Sequence, residues 1–232
     1  MRFPILFAGI LGTFGLAWFG QTVIPSIQLA NLQPQTEEDG SDPYPVNNSG
    51  IAARGRKVYV SEGCFYCHTQ QVRADQAGSD IARGWGSRRT VARDYIYDSP
   101  VVLGAMRNGP DLANMGNTEI LDPLNIDPVT NQPKPRWKDA AWQLSHLYNP
   151  RSTVEESTMP SYKYLFEKRK IVSERSVDAL PLEGDYAVES GYEVVPTTEA
   201  KDLVAYLLSL NRSHPLKEVK EVKQAKPEAP AK

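Results

Sequence analysis

Cysteine is almost absent from this chain: Cys64 and Cys67 are the only two in 232 residues. Both fall in one CxxC, so no disulfide can tie other parts together and no third or fourth thiolate is at hand for zinc. Histidine is as scarce. His68, His146 and His214 stand singly and far apart, which excludes a four-ligand zinc cluster. No alternating strand and helix pattern leads into the CxxC, as a thioredoxin-like redox pair requires. Neither sign of charge dominates: 26 basic against 28 acidic side chains leave a formal charge of −2, which offers a polyanion such as nucleic acid nothing to bind. No acid–base or nucleophile constellation stands out, so no catalytic residue is assigned.

What is there is the run Gly63-Cys64-Phe65-Tyr66-Cys67-His68. A CxxCH pentad is the attachment signature of a c-type haem. Two thiols two residues apart can each form a thioether to a porphyrin vinyl group, and the adjacent histidine then lies under the ring as its proximal iron ligand. Cys64 and Cys67 are expected to anchor, His68 to ligate, and the cofactor is one covalently bound haem c.

Charge is also missing from Phe3 to Thr36, and Phe3 to Ile27 is almost continuously apolar. About 20 residues cross the hydrocarbon core as a helix, so this stretch is expected to be a retained transmembrane anchor. A cleaved secretory signal would be shorter and would end in a small-residue cleavage site. Gly9, Gly12, Gly15 and Gly20 suit close packing against another membrane helix. Arg2 precedes the span and Glu37, Glu38 and Asp39 follow it, which puts the N-terminus in the cytoplasm and the bulk of the chain outside.

The length suits one such span plus one soluble domain. The expected boundaries are an anchor over residues 1–32, a Pro-, Asn- and Gly-rich linker over 33–50, a haem domain over 51–211 and a disordered tail over 212–232, where Lys, Glu, Pro and Ala take over. Pro and Gly, 18 and 16 in number, predict many loops in the domain. Ile51 to Glu62 reads as a short helix entering the pentad, with Gly55 and Tyr59 on one face. Near the other end, Thr197 or Thr198 caps a helix with Glu199 in its first turn and an apolar stripe of Leu203, Tyr206, Leu207 and Leu210. The two helices are expected to cross at Gly55, flanked by Tyr59 and Tyr206.

This arrangement resembles class I cytochromes c, in which a helix ending in CxxCH crosses a C-terminal helix carrying an aliphatic and an aromatic residue three positions apart, here Leu203 and Tyr206. The fold expected from the resemblance is mainly α, a class I cytochrome c-like domain with long loop insertions behind one transmembrane helix. The family's sixth iron ligand is usually a methionine from a loop before the last helix, which makes Met106, Met115 and Met159 the candidates. Met159 is preferred, because Pro160 forces an extended loop able to present it. Met115 is second, Met106 is expected in the core, and His146 would make a bis-histidine site. Arg73, Arg88, Arg89 and Arg93 are candidates for the haem propionates, which suit bidentate guanidinium, although a solvated basic face explains any one of them equally.

The runs Gly63 to Arg73, Arg93 to Asp98, Arg107 to Asn114, His146 to Arg151 and Ser157 to Pro160 resemble, in order, subunit II of cbb(3)-type cytochrome c oxidases. Asn117 to Asp139, Lys163 to Val195 and the tail do not match. The resemblance implies a non-catalytic electron-transfer subunit of a haem-copper oxidase in the bacterial inner membrane, with its haem domain in the periplasm. It implies as partners a dihaem cytochrome c subunit as donor and haem b of the catalytic haem b/copper subunit as acceptor. A small cytochrome subunit of nitric oxide reductase and a free-standing tethered cytochrome c are the alternatives.

Overall fold

The computed structural model describes residues 3–48 and 50–222; Met1, Arg2, Ser49 and residues 223–232 of the expected tail lie outside the described residues. Two compact units divide the chain, one of residues 1–46 and 91–97, the other of residues 47–90 and 98–232.

The first unit begins with helix α1 (Phe3–Trp18), a π-helical turn (Phe19–Val23) and α2 (Ile24–Ala30). Pro25 has no N–H to give the preceding turn and its ring crowds the carbonyl of Gln21, so the widened turn sits where the regular ladder must yield. The 28 residues Phe3–Ala30 are, among the described residues, the one helix long and apolar enough to cross a membrane. At 1.5 Å per residue they extend about 42 Å, more than a hydrocarbon core requires. Phe14 and Leu16 are 72% and 75% exposed, an apolar surface that water alone would not favour. The stretch after it is more ordered than a free linker: Gln35 and Tyr44 form an antiparallel bridge, and the Tyr44 hydroxyl donates to Asp94 at 2.8 Å.

In the second unit α3 (Gly50–Ser61) crosses α5 (Thr198–Ser209) as the spacing of small and aromatic residues predicts. A Cβ on Gly55 would lie 1.8 Å from the Asp202 carbonyl oxygen and 2.8 Å from Tyr206 Cβ, so only glycine permits this approach. The rings of Tyr59 and Tyr206 meet at 5.4 Å beside it, both fully buried. Thr197 is the N-cap of α5, its hydroxyl accepting from the Ala200 amide, and Glu199 complements the helix dipole. Leu203, Val204, Leu207 and Leu210 pack with Leu147 and with Leu165, Phe166 and Val194 into the main core.

The two regions that matched nothing prove to hold antiparallel ribbons. Strand β1 (Leu121–Ile126) pairs with β2 (Pro133–Pro135), and β3 (Phe166–Lys170) pairs in unbroken register with β4 (Tyr192–Pro196), Phe166 opposite Pro196 and Lys170 opposite Tyr192. The expectation of a mainly α chain therefore holds only in part. One more helix, α4 (Ala140–Tyr148), is capped by Asp139, which accepts from the Trp142 amide at 2.7 Å.

Residues 212–222, expected within a disordered tail, instead pack on the second unit. Leu216 and Val219 are buried, the Val222 amide donates to the Ser87 carbonyl, and Arg212 pairs with Asp98 at 2.7 Å. Lysine and glutamate are four of its eleven residues, but its apolar residues Leu216, Val219 and Val222 recur every third position and find a surface.

Candidate functional site

Between α3, α4, α5 and the loops that follow the pentad lies a cavity of about 540 Å³. That is within the range of cofactor pockets, roughly 300–1,000 Å³. Its wall includes Cys64, Cys67 and His68, Gly109 and Pro110, Leu112 and Met115, Trp142 to Leu147 in part, Met159 and Tyr162, and Leu203 with Leu207. The lining is mostly apolar, as a porphyrin face requires.

His68 is held from behind. Its Nδ1 lies 2.8 Å from the Pro110 carbonyl oxygen, which can only accept, so Nδ1 carries the proton and Nε2 keeps its lone pair. A Cβ on Gly109 would lie 2.2 Å from His68 Cε1, so the imidazole rests directly against that glycine. Burial lowers the imidazole pKa against the opposing pull of the Pro110 hydrogen bond, favouring the neutral, ligating form. Burial, followed by the nearby Glu62, pushes the Cys64 thiol up to about 12, so it is protonated at neutral pH.

The Pro110 loop is clipped to the chain after the pentad along its whole length. The Gly109 amide donates to the Cys67 carbonyl at 3.0 Å, Leu112 to Thr69 at 2.8 Å and Gln70 to Leu103 at 2.9 Å. Asp111, fully buried, accepts from the Thr69 hydroxyl at 2.6 Å, the Gln71 amide at 2.7 Å and the Ala113 amide at 2.8 Å. Arg107 reaches the Thr69 hydroxyl, the Gln71 carbonyl and Asp80 together, at 3.0, 2.7 and 2.7 Å. Sequence spacing did not single out Asp111 or Arg107, because apart from Ala113 their partners lie 27 to 42 residues away.

Of the candidate sixth ligands, Met159, Met115 and His146 all line the cavity, whereas Met106 is 50% exposed and is neither core nor lining. Met115 is only 7% exposed and Met159 is half-buried on a loop fastened to α4 by the Tyr162 amide, which donates to the Leu147 carbonyl at 2.9 Å. His146 stacks on Trp142 at 4.6 Å, and its Nδ1 lies 2.6 Å from the Thr153 hydroxyl. Thr153 spends its own proton on the Pro150 carbonyl, so it accepts from His146. Burial, with a smaller contribution from His68, pushes His146 down to about 4 and keeps it neutral.

The four arginines expected at the propionates are elsewhere, and none lines the cavity. Arg73 pairs with the buried Asp80 at 2.8 Å. Arg88 is fully buried and donates to the His214 carbonyl at 2.6 Å. Arg89 is exposed, and Arg93 donates to the Gln33 carbonyl within the first unit. For Arg73 and Arg88 the physical reason is that a buried carboxylate and a carbonyl within the fold take the guanidinium group first, while Arg89 faces solvent. Gln143 in the wall was not a sequence candidate, although with Trp142, His146 and Leu147 it follows the spacing of one helix face.

Residues 19–123 match the family model FixO, the cytochrome c oxidase mono-heme subunit. The FixO match spans the end of the apolar helix, α3, the CxxCH pentad and the Pro110 loop, and so includes the first three of the five runs that resemble an oxidase subunit; His146 to Arg151 and Ser157 to Pro160 lie beyond it. It covers somewhat less than half of the 232 residues and stops before α4, Met159 and α5. The FixO description supplies one haem per chain and a place in a cytochrome c oxidase, in agreement with the single pentad. Comparison with curated proteins gives no match.

Proposed function

We propose that this chain is the membrane-anchored electron-transfer subunit of a cbb(3)-type cytochrome c oxidase, with a class I cytochrome c-like domain holding one haem c. Cys64 and Cys67 would hold the haem through thioethers, and His68 Nε2 and Met159 would ligate its iron. The observation that carries the reading is one apolar cavity walled by both thiols, a histidine with its Nδ1 already committed, and a methionine on a separate loop. The FixO match over the pentad supports it independently.

Bound there, a haem c supplies one-electron redox chemistry. The chain's own part is to hold it, exclude water and set its ligand field. The Pro110 carbonyl fixes the imidazole tautomer and raises its basicity as a ligand. Leu112, Leu147, Leu203 and Leu207 keep the cavity dry. Closed coordination leaves no position for oxygen, so oxygen is reduced in the catalytic subunit. Electrons pass from a dihaem cytochrome c subunit through this domain to haem b of that catalytic subunit. The Phe3–Ala30 helix is the anchor in the bacterial inner membrane, with the N-terminus cytoplasmic and the haem domain periplasmic.

The test is purification from mild-detergent membranes through a tag on this chain, with haem b, haem c, copper and oxygen uptake measured together. Haem b and copper in the pure complex, with oxygen uptake, are the expected result. Haem c alone, under conditions that keep such complexes whole, overturns the oxidase assignment in favour of a free-standing carrier.

A further inference from the structure

A haem brings two propionate carboxylates to its site, and these need donors. Among the described residues, the cavity wall contains no lysine and no arginine; its one carboxylate is Glu156. It does contain Gln143, on the same face of α4 as His146 and Leu147. Gln143 is only 5% exposed, and its Nε2 is buried without a hydrogen-bond partner. A buried amide donor left without an acceptor is costly, and cores rarely keep one unless a ligand completes it. Its helix is rigidly set: the Gln143 backbone amide donates to the Asp139 carbonyl at 3.0 Å and Asp139 caps the first turn. An orphaned donor in a wall that lacks cations is complementary to an ionised acceptor brought in by the occupant. A thioether sulfur is a weak acceptor by comparison, whereas a carboxylate makes the stronger, charge-assisted bond.

We propose that the Gln143 side-chain amide donates a hydrogen bond to a haem propionate, filling the role for which arginines were the sequence candidates. The inference rests on the haem reading above. A neutral donor orients the carboxylate without cancelling its charge, so the domain keeps a negative group at the haem edge that guanidinium would neutralise.

The test uses the membrane-anchored holoprotein, made with haem carrying 13C-labelled propionates and with 15N-labelled glutamine. Redox-difference infrared spectra isolate the labelled carboxylate bands. In Gln143→Leu one of them shifts while the covalent haem content is unchanged. In the unsubstituted protein the Gln143 Nε2 protons exchange with solvent at least about tenfold more slowly than those of the exposed Gln132, as an amide both buried and held by a charge-assisted bond must. A chain without covalent haem overturns this inference together with the haem reading. Haem c present, with carboxylate bands that Gln143→Leu leaves unmoved, overturns this inference alone. So does exchange at Gln143 as fast as at Gln132, a measurement that stands even if the leucine variant fails to mature.

Discussion

Replacing Gly55 with alanine sets two effects of opposite sign against each other. Helix propensity favours alanine over glycine by about 1 kcal/mol at an interior position of α3. The crossing opposes it. The new Cβ would sit 1.8 Å from the Asp202 carbonyl oxygen, 2.4 Å from the Asp202 carbonyl carbon and 2.8 Å from Tyr206 Cβ. Two of these three are backbone atoms of α5, which no rotamer change can move. Restoring ordinary contact parts the helices by roughly 1.5 Å, which loosens the Tyr59–Tyr206 contact and the packing of Leu203 beneath it. Overpacking of this kind costs roughly 3 kcal/mol, at the upper end of its usual range, because the obstacle is main chain. The net destabilisation is about 2 kcal/mol, or roughly 4–8 °C in Tm for a domain of this size. Thermal unfolding of the detergent-solubilised protein followed by circular dichroism measures it, and haem staining reports whether the displaced α3 still delivers the pentad for attachment. A Gly55→Ala protein that melts at or above the parent temperature would refute the argument that this crossing requires glycine.

Met159→Ala should open the sixth position and let the ferrous protein bind carbon monoxide, while Met115→Ala should remain inert to it; the reverse pattern in the visible spectrum would transfer the ligand role to Met115. Asp80 is fully buried, and although burial raises its pKa, hydrogen bonds from Arg73 and Arg107 outweigh that and hold it below the ordinary 3.8. A carboxylate with a depressed folded pKa contributes stability above its unfolded pKa and loses it as pH falls through the folded value. Asp80→Asn should therefore lower stability at neutral pH and flatten the acid-unfolding curve below about pH 3.8, and an unchanged acid limb would show that the pair does not contribute.

Local chemistry was legible in the sequence because it depends on neighbours in the chain. The CxxCH pentad, the uncharged run after Phe3, the Thr197 cap and the small residue at Gly55 each carry their meaning within a few positions. Periodicity of 3.6 then put Tyr59 and Tyr206 on facing sides of α3 and α5, where the structure has them. The ribbons were not legible: the residues of β3 alternate poorly, only Phe166 being buried, and their partners in β4 lie more than 20 residues further on. The packing of residues 212–222 was hidden for a similar reason, since composition signalled a solvated terminus while a few apolar side chains decided otherwise.

The sequence by itself supplied the CxxCH attachment motif, the proximal histidine candidate and the apolar helix, because motif spacing and hydrophobic length do not depend on the fold. Tertiary structure alone decided which side chains share the cavity. It brought Met115, Met159 and His146 to one wall and left Met106 outside. It bound Arg73 and Arg88 to groups within the fold and left Gln143 as a buried donor in a wall that, among the described residues, has no lysine or arginine. Arginine looks the same in sequence whether it faces a ligand or an internal carboxylate. Only the competition among buried acceptors, settled by packing over long sequence separations, distinguishes the two.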